Sequence, residues 1–399
     1  MIRPVFYPSD LLKWLLLPFI VGLMTLSRIE GYSKLMVLFG LIYSCLFLIY
    51  SLYRKLSLQP EVIIYFAWTA WSIIGTYNAI DLAMHFQALM TALQIGVFIF
   101  LVAGIIALYR NISIVMIAII IGGIIVALSS YLYGEFQLAT QIEARTRATG
   151  LAGNANSFAY YLLFAVFAVF FFWEIKSSLW WRVILSALLA IYVSGIIYSG
   201  SRKGFLTLVV FTILWFLFCL GKRLFKKPIT VFVTLLILSV GIYFITDFVM
   251  SKTLLGKRFE YAIKEGEDTR VQMYKEGFDM IEKNPLFGVG LNNYRVLSSF
   301  EMYSHSDYIE VAANTGILGF ILYFSIYLVL WRRLNRIQAM TNEPRLLYII
   351  GLLKASIITM LFAAFGVSTI TEKLTWLFLA SAIGYSWSVE RALVTIEKK

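Results

Sequence analysis

Continuous apolar runs, not alternating or heptad patterns, dominate the chain. Charges and turn residues divide them into spans near residues 11–27, 33–53, 61–79, 87–109, 113–133, 151–173, 179–198, 203–221, 229–250, 307–331, 346–366 and 374–390. Each approaches the ~20 apolar residues that a helix needs to cross a hydrocarbon core. The expected fold class is an all-α polytopic membrane protein of about twelve transmembrane helices. An outer-membrane barrel would alternate apolar and polar positions, and these runs do not. No internal repeat stands out, so one membrane domain over residues 1–399 is expected.

One segment departs from this pattern. Residues 251–306, between spans nine and ten, carry both charge signs and are too long for a simple connector. They contain a helical pattern over Asp268–Lys283, with Val271, Tyr274, Phe278 and Ile281 on one face. Asp268 or Thr269 can cap its start, and Asn284-Pro285 ends it. An ordered, partly helical cap loop inserted in the membrane domain is expected.

Charge orients the spans. Arg54 and Lys55 follow span two, Arg110 follows span four, and Lys176 and Arg182 surround the link after span six. Lys222, Arg223, Lys226 and Lys227 follow span eight, and Arg332, Arg333, Arg336 and Arg345 follow span ten. Arg391, Lys398 and Lys399 close the chain. Every even-numbered exit is basic, which predicts cytoplasmic termini and an outward-facing 251–306. The same asymmetry accounts for the formal charge of +12 without a nucleic-acid partner. Residues are 60% apolar and 14% charged, with a mean hydropathy of +0.82. Soluble proteins carry about 25% charged residues, so a soluble enzyme and a disordered chain are excluded. Cys45 and Cys219 sit inside apolar runs and read as packing residues, so no disulfide framework is expected. The first apolar run reads as a retained helix and not as a cleaved signal.

Three polar groups lie at outward positions. The first, Arg145-Thr-Arg147-Ala-Thr-Gly150-Leu-Ala-Gly153-Asn154-Ala-Asn156, opens span six. Two arginines at a helix start suit an anion, although an interfacial loop with arginine anchors would look the same. The second is Ser199-Gly200-Ser201-Arg202-Lys203-Gly204, a link so short that Arg202 sits at the membrane surface. An ionisable group there is a functional candidate, and the guanidinium fork suits phosphate oxygens; snorkelling is the alternative. The third combines Asp268-Thr-Arg270, Asn284-Pro-Leu-Phe-Gly288-Val-Gly290-Leu-Asn292-Asn293-Tyr294 and His305-Ser-Asp307-Tyr308-Ile-Glu310. Gly288-Val-Gly290 lacks the strand context of a dinucleotide site. His305, one of two histidines, stands where the loop re-enters the membrane, beside carboxylates, and is a candidate acid–base group. The other, His85, reads as interfacial. No phosphate-binding Gly-Lys-Ser/Thr loop and no carboxylate metal cage is evident, so neither a nucleotide nor a metal cofactor is expected.

In order and spacing, these motifs resemble the O-antigen ligase and O-antigen polymerase superfamily of bacterial envelope glycosyltransferases. The likeness lies in Arg147 to Asn156, Ser199 to Arg202, Arg270, Pro285 to Gly290 and His305 with the Glu310–Gly319 run. It covers roughly the C-terminal two-thirds. The sequence departs from the family at Ser306, where an Asn is usual, and at Ala155, where many members have Pro. The resemblance implies a large periplasmic loop between helices nine and ten of an inner-membrane protein. It also implies metal-independent, inverting transfer of a glycan from undecaprenyl diphosphate to a sugar hydroxyl. The acceptor is another lipid-linked repeat in polymerases and lipid A–core in ligases; the polymerase reading is slightly preferred. A chain-length regulator is a further implied partner. The catalytic set it implies is His305 as base with Arg202 and Arg270 on the diphosphate. The expected substrate-binding set is Arg145, Arg147, Asn154, Asn156, Lys203, Asn292 and Tyr294. The rival readings are a lipid-linked glycan transporter, expected to show repeats and a charged midplane cavity, and a non-catalytic scaffold.

Overall fold

A computed structural model describes residues 8–54, 56–133, 147–220, 243, 247–251, 253–264 and 269–397. Its helices are α1 (Pro8–Thr25), α2 (Tyr32–Tyr53), α3 (Pro60–Ile74), α4 (Leu82–Tyr109), α5 (Ser113–Leu132), α6 (Ala155–Ile175) and α7 (Leu179–Tyr198). They continue with α8 (Arg202–Trp215), α9 (Leu254–Lys264), α10 (Thr269–Lys283), α11 (Tyr294–Leu297), α12 (Asp307–Met340), α13 (Pro344–Ala363) and α14 (Lys373–Glu397). Eight described helices are long and apolar enough to cross a membrane: α2, α4, α5, α6, α7, α8 with the turn that extends it, α12 and α13. Leu11–Thr25 is a shorter apolar helix. Helix α3 with the turn Gly75–Asn78 covers the third expected span, and α14 covers the last. The protein is an all-α polytopic membrane protein. Most of expected span nine lies outside the described residues, as do Arg145, Asp268 and the basic exit 222–227.

Helix α6 is the bundle's centre. Its residues from Phe158 to Phe172 are all buried, because it packs against α5, α7, α8 and α13. A helix apolar on every face needs such an interior position. Phe167 meets the tilted ring of Phe211 of α8 at 4.4 Å and that of Phe378 of α14 edge-on at 5.6 Å. Cys219 is buried as expected, whereas Cys45 is exposed on α2.

The sequence reading put Arg332, Arg333 and Arg336 in a solvated loop. Instead α12 runs on to Met340, and Arg333 is only 1% exposed. Two remote carboxylates account for the difference. Arg333 Nη1 lies 2.6 Å from Glu61 of α3, and its Nε lies 3.2 Å from Glu390 of α14, which also meets Arg336 at 3.2 Å. Trp387 covers the Arg333 guanidinium at 5.0 Å. Leaving one member of a buried ion pair uncompensated costs about 3–5 kcal/mol. Glu61→Ala leaves Arg333 only its longer contact to Glu390, so it should lower the melting temperature of the detergent-solubilised protein, and adding Arg333→Met should restore much of it. Unchanged melting in the single variant would refute the interlock.

The amphipathic helix of the cap loop forms over α10, but its buried face is rotated from the expected one. Met273, Gly277 and Met280 are buried, while Val271 and Phe278 are 40% and 60% exposed. Gly277 explains the rotation. A Cβ there would lie 2.2 Å from Ile309, so the missing side chain lets α10 press directly onto α12. Tyr274 and Ile281 border this small core, which contains Tyr294 and Val289.

Candidate functional site

Helix α12 breaks once, at Gly316, where φ is 70° and ψ is −179°. The break releases the carbonyls of Ala313 and Asn314 from their helical partners. Loop 285–293 supplies replacements: Val289 N donates to Ala313 O at 2.8 Å and Gly290 N to Asn314 O at 3.0 Å. Ile317 N in turn donates to Pro285 O at 2.8 Å. Gly288 and Gly290 have φ of 68° and 93°, and a Cβ on Gly288 would lie 2.4 Å from the Asn314 carbonyl carbon. The Pro-Leu-Phe-Gly-Val-Gly motif is thus a backbone wedge in a broken helix, and its glycines are required by contact and conformation.

His85 secures the other side of the wedge. It is fully buried, not interfacial. Its Nδ1 accepts from Leu291 N at 2.9 Å, so its Nε2 carries the proton and faces Thr76 Oγ1 at 2.9 Å. Asn293 exchanges hydrogen bonds with the Asp81 backbone at 2.7 and 3.1 Å. These contacts hold Asn292, at φ 60°, against a cavity.

His305 lines the same cavity, which has a volume of about 590 Å³. Its φ is 61°, an uncommon conformation for a residue with a Cβ. The neighbouring residues hold it there. Ser304 N donates to Glu310 at 2.8 Å, and Asp307 accepts from Thr369 N at 2.8 Å. Ser306, where the family usually has Asn, is 2% exposed; its carbonyl accepts from Ser304 Oγ at 2.9 Å. The Tyr303 ring lies 4.3 Å from the imidazole. Burial raises the Tyr303 phenol, the charges of Glu310 and Glu372 add to this, and Arg270 opposes it. Arg270 therefore acts electrostatically on Tyr303.

Asn154, Asn156 and Lys203 also line this cavity. Asn154 caps α6 by accepting from Asn156 N at 2.8 Å, and Ser201 caps α8 by accepting from Gly204 N at 3.2 Å. These caps occupy backbone N–H groups that the sequence reading offered to an anion. Charged side chains stand there instead. Arg147 donates to Ser199 O at 2.9 Å and to Asn156 Oδ1 at 3.1 Å. Ser201 Oγ also donates to Asn156 Oδ1, at 2.9 Å. With its oxygen doubly engaged, the Asn156 side chain has only its NH₂ to offer the cavity.

Arg202 donates to Arg258 O at 3.2 Å, and Arg258 donates back to Gly200 O at 2.7 Å. Burial pushes the Arg147 guanidinium down to about 10, and the positive charges of Arg258 and Arg202 push in the same direction. Arg258 is lowered by burial, then by Arg202 and Arg270. Among the described residues, no carboxylate forms a salt bridge with Arg147, Arg202 or Arg258. Like charges held close with no salt-bridged carboxylate among the described residues form a site that an arriving anion would relieve.

The structure thus brings together His305, Asn154, Asn156, Lys203 and Asn292 on one cavity, with Arg147 one hydrogen bond behind; Arg202 and Arg270, expected to converge with His305, do not line it. Tyr294 does not join them. It is fully buried in the α10–α12 core, where its hydroxyl donates to Met273 O at 2.6 Å. Arg145 lies outside the described residues. The sequence reading missed Arg258, although an arginine on the outward loop runs against the charge asymmetry that oriented the chain. It also missed Arg28 and Glu372, which meet at 2.9 Å on the cavity wall.

Residues 187–324 match a family described as O-antigen ligase. The matched segment runs from α7 into α12 and contains Arg202, Arg258, Arg270 and His305. No curated protein matches the chain. Over this stretch the chain is similar to the O-antigen ligase family, which supports the resemblance to the O-antigen ligase and polymerase superfamily.

Proposed function

We propose that the chain transfers a glycan from undecaprenyl diphosphate to an acceptor sugar hydroxyl on the periplasmic face of the bacterial inner membrane. The observation that carries this reading is the junction at Asn156. It lines the cavity with His305 and accepts from Arg147, the first of the crowded arginines. A base thus shares a cavity with a residue that is hydrogen-bonded to the arginine cluster. In the reaction the acceptor oxygen bonds to the anomeric carbon as the bond from that carbon to the diphosphate oxygen breaks. His305 takes the hydroxyl proton as attack proceeds. Negative charge grows on the departing diphosphate, and in this reading the positive charge of Arg147, Arg202, Arg258 and Arg270 stabilises it. Lys203, Asn154, Asn156 and Asn292 hold the sugars. One displacement inverts the anomeric centre, and the electrophile arrives already activated, so no nucleotide enters. The orientation rests on the basic even-numbered exits.

The arginines give the test. Polyprenyl diphosphate should raise the melting temperature of the wild-type protein. Arg202→Lys, which keeps charge but loses the fork, and Arg258→Gln should bind it at least about tenfold more weakly, the loss of one charge-assisted hydrogen bond of about 1.5–3 kcal/mol. Without ligand, Arg258→Gln should melt no lower than wild type, because it relieves repulsion. Wild-type affinity in both variants would remove the arginines from the diphosphate site.

A further inference from the structure

A separate cavity of about 270 Å³ lies between α2, α4 and α14. Its polar rim is at the other end of α4 from His305. Thr91 lines the His305 cavity and Arg110 this one, roughly 28 Å further along at 1.5 Å per residue. That is close to the thickness of a hydrocarbon core, so the rim stands at the opposite face, which the basic exits make cytoplasmic. Buried Phe47, Gly104 and Gln59 line the interior, and exposed Ser57, Arg110 and Arg391 the rim. The charge pattern used the two arginines only as markers of orientation; the fold brings both to one opening.

Two features separate this cavity from an ordinary interfacial crevice. The first is its charge. Arg391 is held over Trp387 at 4.4 Å, and Arg333 lies over the same ring at 5.0 Å. Glu61 and Glu390 engage Arg333 and Arg336, but no carboxylate lines the cavity. Neither Arg110 nor Arg391 forms a salt bridge among the described residues. Arg110 also ends α4 at φ 52°, the left-handed conformation in which glycine is usual. Glycine would satisfy the backbone there; arginine adds a cation to the rim. The second feature is Gln59, which is only 3% exposed. It stands at the N-cap of α3, yet its side chain makes no cap hydrogen bond and lines the cavity instead. A buried amide is costly unless it is hydrogen-bonded, and this one offers its donors and acceptor to an occupant.

Two guanidinium forks and an amide suit phosphate oxygens. The remaining lining includes Leu56, Phe100 and Leu108. Beside it, α2 presents Ile49 and Leu52, 66% and 69% exposed, to the bilayer. A soluble phosphate gains nothing from apolar walls, whereas the glycerol and first methylenes of a lipid do. We propose that this cavity binds an anionic phospholipid of the cytoplasmic leaflet, its phosphate met by Arg110 and Arg391 and its headgroup by Gln59. Zwitterionic lipids carry the same phosphate beside their own cation, which the arginines repel. The bound lipid ties the α2–α3 link to the ends of α4 and α14, next to the buried Glu61–Arg333–Glu390 cluster. The inference does not depend on the glycan-transfer reading.

The test follows thermal melting of the full chain in a neutral detergent, titrated with phosphatidylglycerol, phosphatidylcholine or inorganic phosphate. Phosphatidylglycerol alone should raise the melting temperature in a saturable way. Arg110→Gly, Arg391→Gln and Gln59→Leu should each need at least about tenfold more phosphatidylglycerol for half the effect. Without lipid, Arg110→Gly and Gln59→Leu should melt no lower than wild type, because one relieves the positive φ and the other removes the buried amide. Arg54→Gln serves as the control: Arg54 belongs to the same basic face and does not line the cavity, so its loss should change the half-effect concentration less than twofold. Wild-type response in the cavity variants overturns the proposal. An Arg54→Gln defect as large as theirs also overturns it, because surface charge and not a site would then attract the lipid. Equal stabilisation by phosphatidylcholine or by inorganic phosphate does the same. Melting needs no turnover, so loss of the lipid response leaves the transfer reading untouched, and loss of transfer leaves this site untouched.

Discussion

His305→Ala is expected to transfer glycan roughly 10²–10⁴-fold more slowly than the wild-type chain, the usual worth of a positioned general base. Its affinity for the lipid-linked donor should stay close to wild type, because the proposed phosphate ligands are the arginines and not the imidazole. A positive φ of 61° is tolerated at His305 only because Ser304–Glu310 and Asp307–Thr369 clamp both sides of it. Alanine gains nothing from that conformation, so a purely structural defect has to be separated from a catalytic one. His305→Asn, which is polar and well suited to positive φ, does so. It should restore the thermal stability of wild type and leave transfer as slow as in the alanine variant. Near wild-type transfer by folded His305→Asn would mean that the imidazole is not the base.

Gly316→Val should abolish the assembled site altogether. A Cβ at this position would lie 2.0 Å from Leu286 O, and φ of 70° is a genuine outlier for a β-branched residue. Backbone strain alone costs about 1–3 kcal/mol, before the clash with the wedge. If α12 straightens to escape it, Val289 and Gly290 lose their carbonyl acceptors and the 285–293 loop is expelled. The expected outcome is poor folded yield, with faster hydrogen exchange at residues 285–293 in whatever remains. Leu286→Ala removes no backbone atom from the wedge and should be mild. A stable Gly316→Val protein with a protected 285–293 loop would contradict this account of the kink.

The spans were legible because each apolar run is continuous and bounded by charge, a signal carried by neighbouring residues. What remained illegible depends on distant partners. Arg333 reads as a loop cation until Glu61 and Glu390 reach it from α3 and α14. The face of α10 is decided by the absent side chain of Gly277 against Ile309, which no pattern of apolar positions within the helix reveals. His85 looked interfacial because its position in a short link says nothing of Leu291, the residue it serves. The candidate site was more readable. His305, Asn154, Asn156, Lys203 and Asn292 were all singled out, since polar groups that interrupt a membrane protein are expensive and few. Tyr294 was placed among them only because it adjoins Asn292 and Asn293. Arg258 was passed over because a Lys-Arg pair in a polar loop looks solvated until the fold sets it against Arg147 and Arg202. The Gly288-Val-Gly290 motif, which lacks the strand context of a dinucleotide site, seats backbone in a broken helix, a role set by Ala313 and Asn314 far along the chain.

The central claim is a single displacement between His305 and the arginine cluster. The most direct measurement is single-turnover transfer by the purified protein, given a polyprenyl-diphosphate glycan of known anomeric configuration and a defined acceptor, with the new linkage assigned by NMR. The account predicts one inverted glycosidic bond formed for each polyprenyl diphosphate released. Retention of configuration, or release of polyprenyl diphosphate with no new glycosidic bond, would contradict it.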